Sequence, residues 1–341
     1  MLSQIRHLIV PSTDPCFNLA LEEYLLRHVQ PDECILYLWQ NQKTVVIGRH
    51  QNGWKECRAD QLRQDGGRVV RRLSGGGAVF HDLGNLNFTF LAARGNYDLD
   101  RQMKVLLRAL GKWKIPAELT GRNDICVEGR KVSGNAFYSS RGQMYHHGTL
   151  LLNINTQDAA RYLSVSADKL RSKSVDSVPS RIANLAEYRP DITVEGMIQA
   201  LLDSFEEIYA LPASPISEGD LNSAEVEALS QKYVSWDWTF GPPISFTYSA
   251  SRRFSWGDLQ AHFEVKSGRV VRAVFYSDTL DTDLLPLLSG AAERSVFAAG
   301  ALVKAIEQVP TRDALQSRMS SDIQELLCEE FKGGFAHERT V

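Results

Sequence analysis

The chain has 341 residues, 43% of them hydrophobic, and a formal net charge of -3. This length allows two domains, and the hydrophobic content supports a packed core. The small negative charge gives no basic field that would favour nucleic acid, and no apolar run is long enough to span a bilayer. The five cysteines lack CxxC spacing and no signal-peptide pattern opens the chain, so we expect a cytoplasmic protein with reduced thiols.

The N-terminal region opens with a helix signal. Asp14 is a good N-cap and Pro15 suits the first helical position. Apolar runs at Cys34–Trp39 and Lys43–Gly48, on either side of a polar turn, predict a β-hairpin. The segment Lys55–Asp65 predicts one short helix that ends at two glycines.

Strands separated by turns dominate the middle of the chain. The predicted strands are Arg68–Arg72, a strand resuming at Ala78, Leu86–Leu91, Asp124–Val127, Lys131–Tyr138 and Met144–Asn153. The predicted helices are Arg101–Trp113, Gln157–Leu163, Val194–Tyr209 and Ser223–Tyr233. Tandem strands with helices between them predict an α+β fold with a mixed or antiparallel sheet.

A break at Gly241-Pro242-Pro243 precedes a C-terminal region with its own elements. A meander of strands between residues 254 and 276, followed by helices, is predicted there. We therefore expect a boundary near residue 250, with a large domain at residues 1–245 and a small α+β domain at 253–341.

The most informative stretch is the glycine-rich loop between Arg71-Arg72 and Ala78. Its three glycines allow positive φ and close approach to a ligand, and successive backbone N–H groups can form an anion-binding nest. One of the two arginines can add a forked cation, because alternation along a strand points them to opposite faces. The plainer alternative is a flexible hairpin loop with a solvated arginine pair, since neither GxGxxG nor a P-loop pattern is present.

A second stretch centres on Lys131, in a strand that also contains Gly134. With small neighbours, Lys131 can reach into a cleft and stabilise charge that develops on a phosphate. Asp124 can help to hold Mg²⁺ or orient an incoming amine. The alternative is that Arg130 and Lys131 are ordinary turn charges.

A third stretch contains the adjacent histidines His146 and His147. Neighbouring residues of a strand face opposite ways, so the pair is a poor two-ligand metal site. We expect one ring to face a cleft and the other to lie on the opposite side of the sheet.

Together these segments resemble the lipoate–protein ligase A family. The combination RRxSGGGAVFHDLGN, then GRKVSG, then HHGTLL is highly specific, and the resemblance runs from residue 1 to about 280. Further matching segments are Asp14–Ala20, Val45–Arg49 with Gln51-Asn52, Gly121–Asp124 and Lys173–Arg181.

The resemblance implies a fold similar to biotin ligases and class II synthetases, with a small accessory C-terminal domain. Lys131 and Asp124 are the implied catalytic residues, with Asp124 also the candidate metal ligand. The residues implied to bind ATP or lipoyl-AMP are Arg72, Ser74, Gly75, Gly76, Gly77, Ala78, Val79, Phe80, His81, Asn123, Lys131, Ser133, His147, Gly148 and Thr149. A loop that closes over the adenylate is implied at Lys173, Ser177 and Arg181.

The implied chemistry is activation of lipoate by ATP and Mg²⁺ to lipoyl-AMP, followed by transfer to a lysine amine. The implied acceptors are apo lipoyl domains of 2-oxoacid dehydrogenase complexes and the glycine-cleavage carrier protein. We expect a monomer, with neither nucleic acid nor a membrane as partner.

Two rival functions stay open at this stage. A lipoyl or octanoyl transferase would use a preformed activated acyl donor, and octanoyl transferases of this fold use a cysteine nucleophile. Cys126 lies in an apolar strand, where a small buried thiol is expected. A binding protein without chemistry is the other rival, and the joint presence of Lys131, Arg72 and Asp124 disfavours it.

Overall fold

The computed structural model describes residues 2–120, 124–164, 182–241 and 247–333. The chain divides into two compact units. The large unit comprises Met1–Ile47, Gly53–Arg72 and Ala78–Thr239. The small unit comprises Gly48–Asn52, Leu73–Gly77 and the chain from Phe240 onward. The boundary expected from sequence, between 245 and 253, stays a prediction.

The large unit combines helices with two sheets. Its helices are α1 (Pro15–His28), α2 (Gly53–Glu56), α3 (Ala59–Gln64), α4 (Leu99–Lys112), α5 (Thr156–Tyr162), α6 (Val194–Tyr209), α7 (Ser223–Val234) and α8 (Trp236–Thr239). Its strands are β1 (Gln4–Ile9), β2 (Glu33–Trp39), β3 (Thr44–Ile47), β4 (Arg68–Arg71), β5 (Val79–His81), β6 (Asn85–Ala93), β7 (Glu118–Thr120), β8 (Asp124–Val127), β9 (Arg130–Ser140), β10 (Gln143–Leu151) and β11 (Ala213–Pro215).

The main sheet has the strand order β11-β1-β2-β6-β10-β9-β8-β7. Strand β1 pairs in parallel with both β11 and β2, whereas the other pairs are antiparallel. One face packs against α4 and α6 through an apolar core that includes Phe88, Phe90 and Phe205. The prediction of an α+β fold with a mixed sheet is therefore confirmed.

The predicted start of α1 is confirmed. Oδ1 of Asp14 accepts hydrogen bonds from the amides of Cys16 at 2.8 Å and Phe17 at 3.2 Å, and Pro15 occupies the first turn. These bonds satisfy amides that have no acceptor within the helix.

The hairpin predicted from Cys34–Trp39 and Lys43–Gly48 is wrong, and so is the alternative in which the glycine loop closes a hairpin. Strand β2 lies between β1 and β6 in the main sheet, whereas β3 lies in a small sheet of order β4-β3-β5. Strand β3 thus separates β4 from β5, so the glycine loop crosses from one side of β3 to the other. A two-residue turn cannot make that crossing, which explains the length of the loop.

The single helix predicted at Lys55–Asp65 is also wrong. The structure has two short helices, α2 and α3, interrupted where Cys57 forms an isolated antiparallel bridge with Leu163. Together they form the crossover that parallel pairing of β3 with β4 requires.

The small unit has its own antiparallel sheet and apolar core. Its strands are β12 (Tyr248–Phe254), β13 (Gly257–Lys266) and β14 (Arg269–Ser277), and its helices are α9 (Leu284–Ala292), α10 (Ala299–Glu307) and α11 (Ala314–Gly333). A meander is present as predicted, but its first strand begins at Tyr248 and ends at residue 254, where the prediction had it begin. The strands pack against the helices through buried residues such as Phe263, Leu288 and Leu326. Among the described helices of the whole chain, none is both long and apolar enough to cross a membrane.

Candidate active site

One face of the main sheet carries buried polar side chains. Register places His147 opposite Thr89, Thr149 opposite Asn87, and Asn87 opposite Trp39. Because side chains alternate along strands, these residues face the side opposite the apolar core. Buried polar groups need partners, so this polar face (Trp39, Asn87, Thr89, His147 and Thr149) is the first candidate for a binding site.

A carboxylate from α1 accepts hydrogen bonds from the central residues of the polar face. Glu22 is only 1% exposed and accepts hydrogen bonds from Thr89 Oγ1 at 2.7 Å and His147 Nδ1 at 2.8 Å. The Oγ1 of Thr89 also accepts from Trp39 Nε1 at 3.2 Å. Glu22 was not identified as a candidate site residue from the sequence. The available signal was an acidic pair, Glu22-Glu23, inside a strongly apolar helix.

The prediction that Arg71 and Arg72 diverge is confirmed, but neither is solvated. Nε of Arg71 donates to the carbonyl oxygens of Trp238 and Thr239, each at 3.0 Å, at the end of α8. Nη1 of Arg72 donates to the Val46 carbonyl at 3.1 Å. Burial lowers the pKa of Arg72 to about 10, although the nearby Glu22 carboxylate favours its charge. Arg72 therefore remains a buried cation at neutral pH.

His81 ends β5 and lies against Trp39 of the polar face, with ring centroids 6.4 Å apart. Asn41 Nδ2 lies 3.3 Å from its Nδ1. Burial, together with the positive charge of Arg72, lowers the pKa of His81 to about 3. His81 is therefore neutral at physiological pH.

Lys131 and Asp124 form an ion pair, with Nζ and Oδ1 2.7 Å apart. Register between β8 and β9 shifts at Ile125/Cys126, and Asp124 lies opposite Gly134. A Cβ at Gly134 would lie 2.7 Å from the Lys131 Nζ, so the lysine side chain crosses the strand where a side chain is missing. Gly134 is thus the small neighbour that gives the Lys131 side chain room.

Strand β10 adjoins this ion pair. The Gly134 amide donates to Thr149 Oγ1 at 3.3 Å. A Cβ at Gly148 would lie 2.6 Å from the Gly134 carbonyl oxygen, so Gly148 permits close approach of the strands. Ser133 is fully buried, and its Oγ has no hydrogen-bond partner among the described residues.

The two adjacent histidines face opposite sides, as predicted. His146 lies in the apolar face, where its ring nitrogens contact Gln102 Oε1 at 3.2 Å and Asn135 Oδ1 at 2.8 Å. Burial lowers the pKa of His146 to about 3. It is a satisfied core histidine, whereas His147 belongs to the polar face.

The remaining predicted residues have different placements. Ser74, Gly75, Gly76 and Gly77 belong to the small unit, where the Gly76 amide donates to the Thr279 carbonyl at 2.8 Å. Ala78 is partly buried, and Val79 and Phe80 lie in β5. The predicted residues that lie outside the described part of the chain are Asn123, Lys173, Ser177 and Arg181.

Comparison with known proteins accounts for most of the chain. Residues 14–206 match the family described as the lipoyl protein ligase A/B catalytic domain, and residues 244–327 match the bacterial lipoate protein ligase C-terminus. The lipoate-protein ligase A of Psychrobacter cryohalolentis is 41% identical over 284 residues, covering 81% of this chain and 84% of that protein. The chain belongs to the lipoate–protein ligase A family.

Solved structures of this family share the fold. The P. falciparum LipL1 structure in complex with lipoate has a TM-score of 0.82 at 28% identity, over 94% of this chain and 99% of that one. A structure from the archaeal lipoylation system of Thermoplasma acidophilum, described as a bipartite lipoate protein ligase and its E2 lipoyl domain, has a TM-score of 0.60 at 25% identity, over 71% of this chain and 98% of that one. For this ligase-family chain, the polar face described above is the candidate active site.

Proposed function

We propose that the chain is an ATP-dependent lipoate–protein ligase that forms lipoyl-AMP and transfers the lipoyl group to a lysine amine of an apo lipoyl domain. The observation that carries the proposal is the Lys131–Asp124 pair, 2.7 Å apart beside the polar face, in a chain of the lipoate–protein ligase family. The lipoate carboxylate attacks the α-phosphorus of ATP and pyrophosphate leaves. The lysine amine then attacks the acyl carbon and AMP leaves.

Lys131 supplies positive charge for both steps. Its side chain and that of Asp124 are each 35% exposed, so anionic oxygens of a ligand can reach the ammonium. Charge that develops on the α-phosphate, and later on the acyl oxygen, is stabilised by a cation already held in position. Arg72 adds a second, buried cation.

Asp124 is the candidate Mg²⁺ ligand. Among the described residues no group of three or more His, Cys, Asp or Glu side chains could hold a metal. Mg²⁺ is commonly held by one or two carboxylates together with substrate phosphates, so a single carboxylate beside the ATP site fits that mode. When bound, Mg²⁺ neutralises phosphate charge.

The polar face also supports a dry site for a labile mixed anhydride. Asn87, Thr89 and His147 are all nearly inaccessible to solvent. Exclusion of water protects the adenylate from hydrolysis until the amine arrives. The predicted contacts of Ser74–Gly77, Asn123 and the segment Lys173–Arg181 with the adenylate remain part of this proposal.

The proposed acceptors are lipoyl domains of 2-oxoacid dehydrogenase complexes and the glycine-cleavage carrier protein, acted on by a monomeric enzyme in the cytoplasm. The T. acidophilum lipoylation system, which comprises a bipartite lipoate protein ligase and its E2 lipoyl domain, supports a carrier domain of that type. All five cysteines are free thiols, as expected in a reducing compartment.

The cysteines also weigh against the octanoyl transferase alternative. Burial raises the pKa of Cys34 and of Cys57 to about 12, so neither provides a thiolate nucleophile at neutral pH. Cys126 is buried, and its Sγ contacts Thr120 Oγ1 at 2.9 Å.

Intact-mass measurement tests the proposal. An apo lipoyl domain is incubated with the protein, ATP, Mg²⁺ and lipoate, and separately with synthetic lipoyl-adenylate. We expect a lipoyl mass gain in both reactions. A gain with lipoyl-adenylate alone would show a transferase that cannot activate its own acid, and no gain in either would refute the proposed function.

A further inference from the structure

A chain of buried amides links α1 to His81. Nδ2 of Asn18 donates to the carbonyl oxygens of Ser12 at 3.0 Å and Gln40 at 2.8 Å, and to Oδ1 of Asn41 at 3.1 Å. Because two of these acceptors are main-chain carbonyls, the atom facing them must be the nitrogen. The Tyr37 hydroxyl, which donates to Asn18 Oδ1 at 3.3 Å, agrees with that orientation.

The orientation of Asn18 fixes that of Asn41. Since Asn41 uses Oδ1 to accept from Asn18, its Nδ2 is the atom 3.3 Å from His81 Nδ1. An amide nitrogen can only donate, so His81 Nδ1 accepts and carries no proton. His81 is neutral at pH 7, as its lowered pKa of about 3 indicates. Its single ring proton therefore resides on Nε2.

The Nε2–H group of His81 lacks an acceptor, and this indicates a ligand. His81 is 4% exposed, and Nε2 has no hydrogen-bond partner among the described residues. A buried N–H donor without an acceptor is costly, so an acceptor from outside the fold would stabilise it. The buried Arg72 guanidinium, close enough to depress the pKa of His81, favours an acceptor that carries negative charge.

We propose that Asn41, held by Asn18, is a positioning residue that fixes His81 in the Nε2-protonated tautomer, from which it donates to an anionic oxygen of the bound acyl ligand or nucleotide. The inference rests on the proposed function for the identity of that ligand. The assignment of the His81 tautomer rests only on contacts within the large unit. The two sources of the oxygen are the lipoate carboxylate and the phosphate of the nucleotide.

The tautomer is measured first, on the unmodified full-length protein. Long-range ¹H–¹⁵N correlation spectra distinguish a protonated ring nitrogen from an unprotonated one, and His81→Gln identifies the His81 signals among those of the eight histidines. At pH 7 we expect an unprotonated Nδ1 and a protonated Nε2 for His81. An Nδ1-protonated or doubly protonated ring would overturn the proposal. This result requires no ligase activity.

Two ligand titrations then identify the oxygen. Lipoate alone and AMP alone are added to the labelled protein, and the Nε2–H proton resonance is followed. A downfield shift with lipoate assigns the acceptor to the carboxylate, and a shift with AMP assigns it to the phosphate. If both ligands bind but neither moves the resonance, the donor role is wrong even where lipoylation proceeds.

The variant Asn41→Asp replaces the amide donor that faces His81 Nδ1 with a carboxylate acceptor. Its carboxylate accepts a hydrogen bond from a protonated His81 Nδ1, and because burial and the charge of Arg72 disfavour a cationic ring, Nε2 loses its proton. An unprotonated Nε2 loses a charge-assisted hydrogen bond, so we expect the Kd of the responsive ligand to rise about ten- to hundredfold. The matched control Asn222→Asp keeps a good N-cap at the exposed start of α7.

The two variants separate a positioning role from a structural one. We expect Asn222→Asp to leave both the His81 resonances and ligand affinity unchanged. An Asn41→Asp protein that folds, yet keeps the wild-type tautomer and affinity, would contradict the proposal. If Asn41→Asp does not fold, the tautomer and ligand response of His81 in the wild-type spectra still test the proposal. Loss of wild-type lipoylation would instead count against the proposed function.

Discussion

The ammonium nitrogen of Lys131 lies 2.7 Å from Oδ1 of Asp124, and each side chain is 35% exposed. Solvent-exposed ion pairs contribute only about 0–1 kcal/mol to stability, and this pair is only partly buried. The pair is therefore poorly explained as a fold-stabilising contact. It is well suited to exchange partners, since ligand oxygens can replace the carboxylate of Asp124 at the ammonium.

Replacing the lysine should abolish activation rather than folding. We expect Lys131→Met to lower the rate of ATP–pyrophosphate exchange by about 10²–10³-fold, because charge on the α-phosphate loses its fixed cation. The control is Arg130→Met, the neighbouring cation, which pairs with Glu187 at 2.7 Å. Equal losses in both variants, or full exchange in Lys131→Met, would remove Lys131 from the chemistry.

The glycine beneath the lysine gives a more selective test. A Cβ at Gly134 would meet only the end of the Lys131 side chain, at 2.7 Å from Nζ and 2.8 Å from Cε. We expect Gly134→Ala to displace the ammonium and to reduce lipoylation by about 10²-fold, with little change in Tm. Gly111→Ala in α4, where nothing lies within 4 Å of the added Cβ, is the control and should keep full activity. A fully active Gly134→Ala enzyme would show that the position of Lys131 is not critical.

Asp124 is tested through its response to magnesium. We expect Asp124→Asn to raise the Mg²⁺ concentration for half-maximal ATP–pyrophosphate exchange by about tenfold or more, because a neutral amide is a weaker ligand. Exchange is measured across a Mg²⁺ series, with Asp191→Asn as a surface control that removes the ion pair with Arg189. An unchanged Mg²⁺ profile in Asp124→Asn would make a metal role untenable.

Elements specified by nearby residues were predictable from sequence. The helix predicted at Val194–Tyr209 has those bounds in the structure, with Thr193 capping its start through Gly196 N. Strand partners were not predictable in the same way. The parallel partner of β3 is β4, which follows only after α2 and α3, and no local pattern encodes that pairing.

The site was predictable in part for a similar reason. Lys131 and Gly134 are close in sequence, so their contact could be inferred from one strand. Glu22 contacts His147, and Asn41 contacts His81, although the two residues of each pair are far apart in sequence. A glutamate or asparagine in a sequence normally suggests a solvated surface position. Only the packing of α1 on the polar face shows that these side chains are buried.

The neighbour of Glu22 supports a prediction about stability. Glu23 Oε2 accepts from Lys232 Nζ at 2.6 Å and the Tyr233 hydroxyl at 2.7 Å, which ties α1 to α7. Burial alone would raise the pKa of Glu23, but the hydrogen bond and charge of Lys232 outweigh it and lower the pKa. The folded protein therefore favours the ionised carboxylate more than the unfolded chain does.

Because the folded pKa is the lower one, this stabilisation is present above the unfolded value of about 4.3 and is lost as pH falls through the folded pKa. We expect Glu23→Gln to reduce the free energy of unfolding by about 1–3 kcal/mol at pH 7, and by less in acid. Urea unfolding of both proteins between pH 7 and pH 3 measures the difference. Glu227→Gln, at an exposed position of α7, should change little at any pH. A difference for Glu23→Gln that stays constant down to pH 3 would show that ionisation of Glu23 does not stabilise the fold.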